Sequence, residues 1–134
     1  MTDVFAQAGV IPYRITGDVL EVLLISTSSG KHLTIPKGLI DPGFSATETA
    51  LNEAYEEAGI KGRLSKPMIG TYGFKKWGGR CEVDVYAMKV TRVLDQWPED
   101  FTRQRIWMDF RHAAGQLRHP DLGALILRLP DHLS

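Results

Sequence analysis

The chain has 134 residues, 43% hydrophobic and 24% charged, with 16 Lys plus Arg balancing 16 Asp plus Glu. That length suits one domain, residues 1–134, rather than two. With zero net charge and a single cysteine, Cys81, it has no net field to attract nucleic acid or a membrane, no disulfide framework and no multi-cysteine metal site.

The N-terminal stretch MTDVFAQAGV lacks the basic start and continuous apolar run of a signal peptide. No apolar run approaches the roughly 18 residues of a spanning helix, so a reducing, cytoplasmic setting is expected. VFAQAGVIPYRI and VLEVLLIST, separated by TGD, predict two strands in a hairpin. HLTIP predicts a short third strand, and KGLIDPGFS, with Gly38, Pro42 and Gly43, reads as a loop. Ser45 and Glu48 have the spacing of a capping box, which predicts a helix from Ala46 to Ala58 closed by Gly59. Ala50, Leu51, Ala54, Tyr55 and Ala58 share one face, expected to pack on a sheet; Thr49, Glu53, Glu56 and Glu57 share the other. MIGTYGFKKW and RCEVDVYAMKV predict two further strands joined around Gly78 and Gly79, with Cys81, Val83, Val85 and Ala87 on one side. RQRIWMDF predicts another strand, and FRHAAGQL and LGALILRL predict helices, the second with Asp121 as N-cap. Together these elements describe an α+β domain with a mixed sheet.

Glu53, Glu56 and Glu57 stand at i, i+3 and i+4, a spacing at which like charges repel by roughly 0.2–0.5 kcal/mol per pair. Glu56 and Glu57 also occupy the last helical turn, where the macrodipole favours cations. One reading is a solvated acidic face with Glu57 reaching Lys61. The other is a site for a hard divalent cation, Mg2+ or Mn2+, which takes carboxylate oxygens and turns repulsion into attraction.

The segment GLIDPGFSATETALNEAYEEAGI, Gly38 to Ile60, resembles the Nudix box, G-x5-E-x7-R-E-U-x-E-E-x-G-U with U aliphatic. Gly38, Glu53, Ala54, Glu56, Glu57, Gly59 and Ile60 occupy the matching places, and IPKG, with Pro36 and Lys37, resembles the approach to the box. Phe44 stands where the box has its first Glu, and Asn52 where it has the Arg that orients the following glutamate. VTRVLDQWPEDFTRQRIWMDFRHAAGQL resembles the C-terminal half of the diphosphoinositol-polyphosphate and diadenosine-polyphosphate phosphohydrolases of that family.

The resemblance implies a Nudix-type α/β/α sandwich and a hydrolase in which water attacks phosphorus of a diphosphate with Mg2+ or Mn2+ bound. The substrate class it implies is a small-molecule polyphosphate, either a dinucleoside polyphosphate or an inositol pyrophosphate. Glu53, Glu56 and Glu57 become the catalytic and metal-ligating candidates, with the carbonyl of Gly38 as a further ligand and Glu53 or Glu56 as the base. Lys37 and Arg80 are the first candidates for substrate phosphate, followed by Arg14, while His32 lies near the box. Trp77 is the candidate for base stacking; Trp97, Trp107 and the remaining histidines read as packing or surface. Lys75, Lys76, Arg103 and Arg105 read individually as surface charges, and Glu82, Asp84 or Glu99 as a source of one more carboxylate. Phe44 and Asn52 also admit a binding module without turnover, and a broad house-cleaning nucleotide pyrophosphatase is a third reading.

Overall fold

The computed structural model describes residues 3–133. The first hairpin forms as expected, from β1 (Val4–Thr16) and β2 (Val19–Ser26), with Thr16 opposite Val19. Next come the short β3 (Leu33–Thr34) and a strand the sequence did not reveal, β4 (Lys37–Leu39). The glycines of KGLIDPGFS suggested a loop throughout, yet its first residues pair antiparallel with β1, Gly38 opposite Ala8. Helix α1 (Ala46–Ala58) has the predicted bounds, Ser45 and Glu48 form both bonds of the capping box, and Gly59 closes it at φ 63°.

Strand β5 (Ile60–Leu64) follows directly and was also unforeseen; its sequence IKGRL is short and too polar to stand out. The hairpin of β6 (Gly70–Lys76) and β7 (Gly79–Val93) and the short β8 (Arg105–Asp109) match their predicted segments. The chain ends in α2 (Phe110–Gly115), α3 (Pro120–Leu127) and α4 (Leu129–Leu133). The N-cap of α3 is His119 rather than Asp121, because Pro120 fixes the first helical position and moves Asp121 into the first turn.

The sheet runs β3-β2-β1-β7-β5, with β4 on β1, β6 on β7 and β8 on β2. It is mixed: β1 and β7 are parallel, whereas the other pairs are antiparallel. Helices cover both faces, so the central strands are apolar on both sides. Val22 and Leu24 face one core with Val83, Val85, Ala87, Phe110, Leu122 and Ile126. Leu23 and Ile25 face the other, with Val10, Met88 and the alanines of α1. The result is the three-layer α+β arrangement. No helix among the described residues is long and apolar enough to cross a membrane.

The buried face of α1 differs from the expected one. Thr49, Ala50, Ala54 and Ala58 are buried, while Leu51 and Tyr55 remain 40% and 41% exposed. Small side chains let the helix settle close to β1, and the larger pair is left on its outer flank, with the Lys61 ammonium over the Tyr55 ring. The buried stripe is therefore rotated toward the glutamates. Glu53 and Glu57 flank it instead of lying opposite, which carries their carboxylates toward β4.

Candidate active site

The seam between α1 and β4 is where the backbone leaves room for acids. A Cβ on Gly38 would overlap the Glu53 carboxylate, so only glycine lets that side chain lie against the strand. One helical turn on, Glu57 Oε1 accepts the backbone N–H of Lys37 at 3.0 Å. These residues open onto a cleft of about 340 Å3 lined also by Gln7, Thr34, Glu56, Trp77, Glu99 and Arg103.

The C-terminal end of α1 has no basic residue in its last turn. Compensation comes from the segment between β7 and β8, which wraps that end. Trp97 Nε1–H donates to the Glu57 carbonyl at 3.0 Å, and the Glu99 N–H donates to the Glu56 carbonyl at 3.1 Å. Arg105 donates to the carbonyls of Ala58 and Leu94 and stacks on Trp97. A guanidinium and an indole N–H thus satisfy helix-end carbonyls that would otherwise face the acids unaided.

Arg103 completes this wrap. Its Nη2 donates to Glu57 Oε2 at 3.1 Å, its Nε to Glu99 Oε1 at 3.0 Å and its Nη1 to the Ser26 carbonyl at 3.0 Å. Arg103 and Glu57 side chains are only 11% and 12% exposed. The sequence reads Arg103 as a surface charge and offers Lys61 as a partner of Glu57 only in the solvated-face reading; in the structure the Lys61 ammonium lies over the Tyr55 ring. Arg103 lies 46 residues from Glu57, a separation that no local pattern spans. Asn52 opens on the far side of α1, in a groove with Leu51, Tyr55 and Met88. Arg103 pairs with Glu57 and Glu99 and not with Glu53, so the charge absent from the box at Asn52 is not restored beside Glu53.

Glu53 has no such support. No hydrogen bond or ion pair reaches its carboxylate among the described residues, and burial pushes it up to about 8, with Glu57, Glu56 and Glu99 adding repulsion and Arg103 opposing. Burial also pushes Glu57 up to about 7, against the pull of Arg103 and Lys37. Gln7, 4% exposed in the same lining, has a buried Oε1 without a donor. A hard cation with its water shell suits this set: oxygen ligands only, a carboxylate short of positive charge, and an orphaned acceptor. No three His, Cys, Asp or Glu side chains among the described residues converge into a ready-made metal shell.

A second cleft of about 340 Å3 adjoins the first, sharing Thr27, Thr34, Lys37 and Lys76. It is basic: Lys37, Lys75, Lys76 and Arg118 line it together with His32 and His119. Its apolar wall is Phe74, stacked against His119 at 5.1 Å and against Tyr72 at 6.0 Å, with the Lys37 ammonium 5.2 Å from the ring centre. Burial, with Arg118 and Lys37 nearby, lowers His119 from the usual histidine value, so the ring meets Phe74 neutral. Burial likewise lowers the Lys37 ammonium, opposed by Glu57. Sequence reasoning placed His119 at the surface and did not single out Arg118.

Of the predicted site residues, Gly38, Lys37, Glu53, Glu56, Glu57 and Trp77 come together in the acidic cleft. Glu99 joins them; Glu82 and Asp84 do not. Arg14 is elsewhere: its guanidinium pairs with Glu21 at 2.9 Å and covers Trp107. Arg80 lines neither cleft and lies across Gly73 on the strand face opposite Cys81, half exposed. Phe44, 50% exposed, is not in the lining either.

Comparison with known proteins agrees with this fold. The family model described as NUDIX domain matches residues 5–127. "Nudix hydrolase 16, mitochondrial" of Arabidopsis thaliana is 37% identical over 131 residues, covering 84% of this chain and 72% of that protein. Diphosphoinositol polyphosphate phosphohydrolase 2 of Mus musculus is 32% identical over 96 residues, covering 69% of this chain and 52% of that protein. The crystal structure of a C. elegans Ap4A hydrolase binary complex shares the fold, with a TM-score of 0.85, 24% identity, and 96% of this chain and 97% of that one covered.

Proposed function

The chain belongs to the NUDIX family and is one of its hydrolases; from that premise we propose that it cleaves a diphosphate linkage in a polyphosphorylated small molecule by water attack at phosphorus. The observation that carries this reading is the Glu53 carboxylate, partly buried, unpartnered and pressed against Gly38, in a cleft that continues into a basic one. Glu53, Glu56, Glu57 and the Gly38 carbonyl are the groups to hold Mg2+ or Mn2+. When bound, the cation supplies neutralisation of the diphosphate oxygens and a polarised water.

The remaining work belongs to the chain's own groups. Glu57, held in place by the Lys37 N–H and by Arg103, is the most firmly positioned ligand of the set. Glu53 and Glu56, whose side chains have no hydrogen-bond partner among the described residues, are the groups to take the proton of the attacking water. Lys37 and Lys76 stand where the clefts meet, placed to receive the diphosphate, while Lys75, Arg118 and His32 line the path of further phosphates. Dinucleoside polyphosphates and inositol pyrophosphates both fit that charge. Neither departure from the box is in the cleft lining, which favours turnover over a binding-only role.

Phosphate release should be followed with Mg2+ on diadenosine polyphosphates, an inositol pyrophosphate, nucleoside triphosphates and nucleotide sugars, with Glu53→Gln as control. Turnover of one class, reduced at least 100-fold by Glu53→Gln, is expected. Even turnover of all nucleotides would replace it with the house-cleaning reading, and none at all with the binding module.

A further inference from the structure

Among the described residues, Trp77 is the one non-glycine residue with a positive φ, 53°. It occupies the first position of the two-residue turn between β6 and β7, since Lys76 pairs with Gly79, and Gly78 follows at φ 71°. Positive φ at both positions defines a type I′ turn, whose first residue is ordinarily Asn, Asp or Gly. A bulky indole is a poor local choice there, because its Cβ crowds the backbone in that conformation. Strain kept at such a position points to what the side chain reaches.

What it reaches is the mouth of the acidic cleft, which Trp77 lines beside Glu53, Glu57 and Lys76. Phe5 meets the ring edge to face at 5.4 Å and the Lys76 ammonium lies 4.7 Å from its centre, yet the residue is 54% exposed. The other aromatic candidates are less exposed. Trp97 lies between Arg105 and Gly59, Trp107 carries Arg14 and packs on the core, and Phe74 is already stacked with His119 and Tyr72.

We propose that Trp77 is the stacking platform for the nucleobase of the substrate, which makes the preferred substrate a nucleoside polyphosphate rather than an inositol pyrophosphate. This rests on the diphosphate site proposed above and specifies the moiety attached to it. An indole recognises a planar π-face, and the non-planar inositol ring has none to offer.

The test separates base from phosphate. Affinities for adenosine 5′-(α,β-imido)diphosphate and for imidodiphosphate, whose sole phosphorus–phosphorus bridge is the P–N–P link, are measured with Mg2+ on the wild type and on Trp77→Asn, Trp77→Tyr and Trp77→Ala. Trp77→Asn suits the turn, so its melting temperature is expected to match or exceed the wild type's. Its affinity for the nucleotide should fall about 5- to 100-fold while that for imidodiphosphate changes less than about twofold. Trp77→Tyr should recover most of the nucleotide affinity. Equal loss for both ligands, or no loss for the nucleotide, overturns the assignment while leaving the diphosphate site intact. Failure of imidodiphosphate to bind the wild type, with the nucleotide still sensitive to Trp77, would instead overturn the diphosphate reading alone.

Discussion

Replacing Arg103 by Ala removes the single cation between two carboxylates, Glu57 at 3.1 Å and Glu99 at 3.0 Å, in a setting where Arg103 is 11% exposed. Breaking a buried ion pair by deleting one partner costs about 3–5 kcal/mol, because a charge is left without compensation. Two features reduce that cost here. Glu57 keeps the Lys37 N–H, and its carboxyl, already pushed up to about 7, can take a proton. A loss of about 2–3 kcal/mol at pH 8 follows, or roughly 6–15 °C in melting temperature for a domain of this size.

The pH dependence supplies the sharper signature. Below about 7, Glu57 is protonated in both proteins, so its ion pair contributes little to either. Above it the wild type gains the pair with Arg103 and the variant does not, so the difference must grow as pH rises through that value. Urea unfolding of the metal-free proteins at pH 5.5 and pH 8 measures this. A loss that is the same at both pH values, or below about 1 kcal/mol at pH 8, would refute the account of Arg103 as the buried counter-charge of Glu57.

Other consequences follow from the same geometry. An acid whose folded-state value is raised destabilises the fold once the unfolded chain has ionised. The Glu53 contribution to the stability of the metal-free protein should therefore be most favourable below the ordinary carboxylate value of 4.5 and fall as pH rises toward the 8 of Glu53; Mg2+ should offset that loss at pH 8, read by melting temperature in chelator and in Mg2+. Gly38→Ala places a methyl into the Glu53 carboxylate and should displace that side chain at a cost of about 1 kcal/mol in stability, while weakening Mn2+ binding at least tenfold by calorimetry. Trp97→Phe removes the N–H from the Glu57 carbonyl and should cost about 1–2 kcal/mol by denaturant unfolding, without changing the pH dependence assigned to Arg103.

The parts of the fold legible in the sequence are those decided within a few residues. Ser45, Glu48 and Gly59 set both ends of α1, and the Gly78 turn set the β6–β7 hairpin. Periodicity misplaced Leu51 and Tyr55 because it registers which positions share a face and not how closely the sheet approaches. Three alanines and Thr49 made the tighter contact, and the larger residues were displaced. The glutamates were legible as a group, yet half of their electrostatic setting comes from Trp97, Glu99, Arg103 and Arg105, about 40 or more residues away in the chain. The basic cleft was hidden for the same reason. His32, Lys37, Lys75, Lys76, Arg118 and His119 come from four separate segments, and only the folded chain brings them to one wall.

The most direct test of the whole account is a calorimetric titration of Mn2+ into the wild type and Glu53→Gln at pH 8, with and without imidodiphosphate. The account predicts that Mn2+ binds the wild type, that imidodiphosphate tightens that binding, and that Glu53→Gln weakens it at least tenfold. Binding that ignores both the substitution and the diphosphate would contradict the claim that these glutamates hold a divalent cation against a diphosphate.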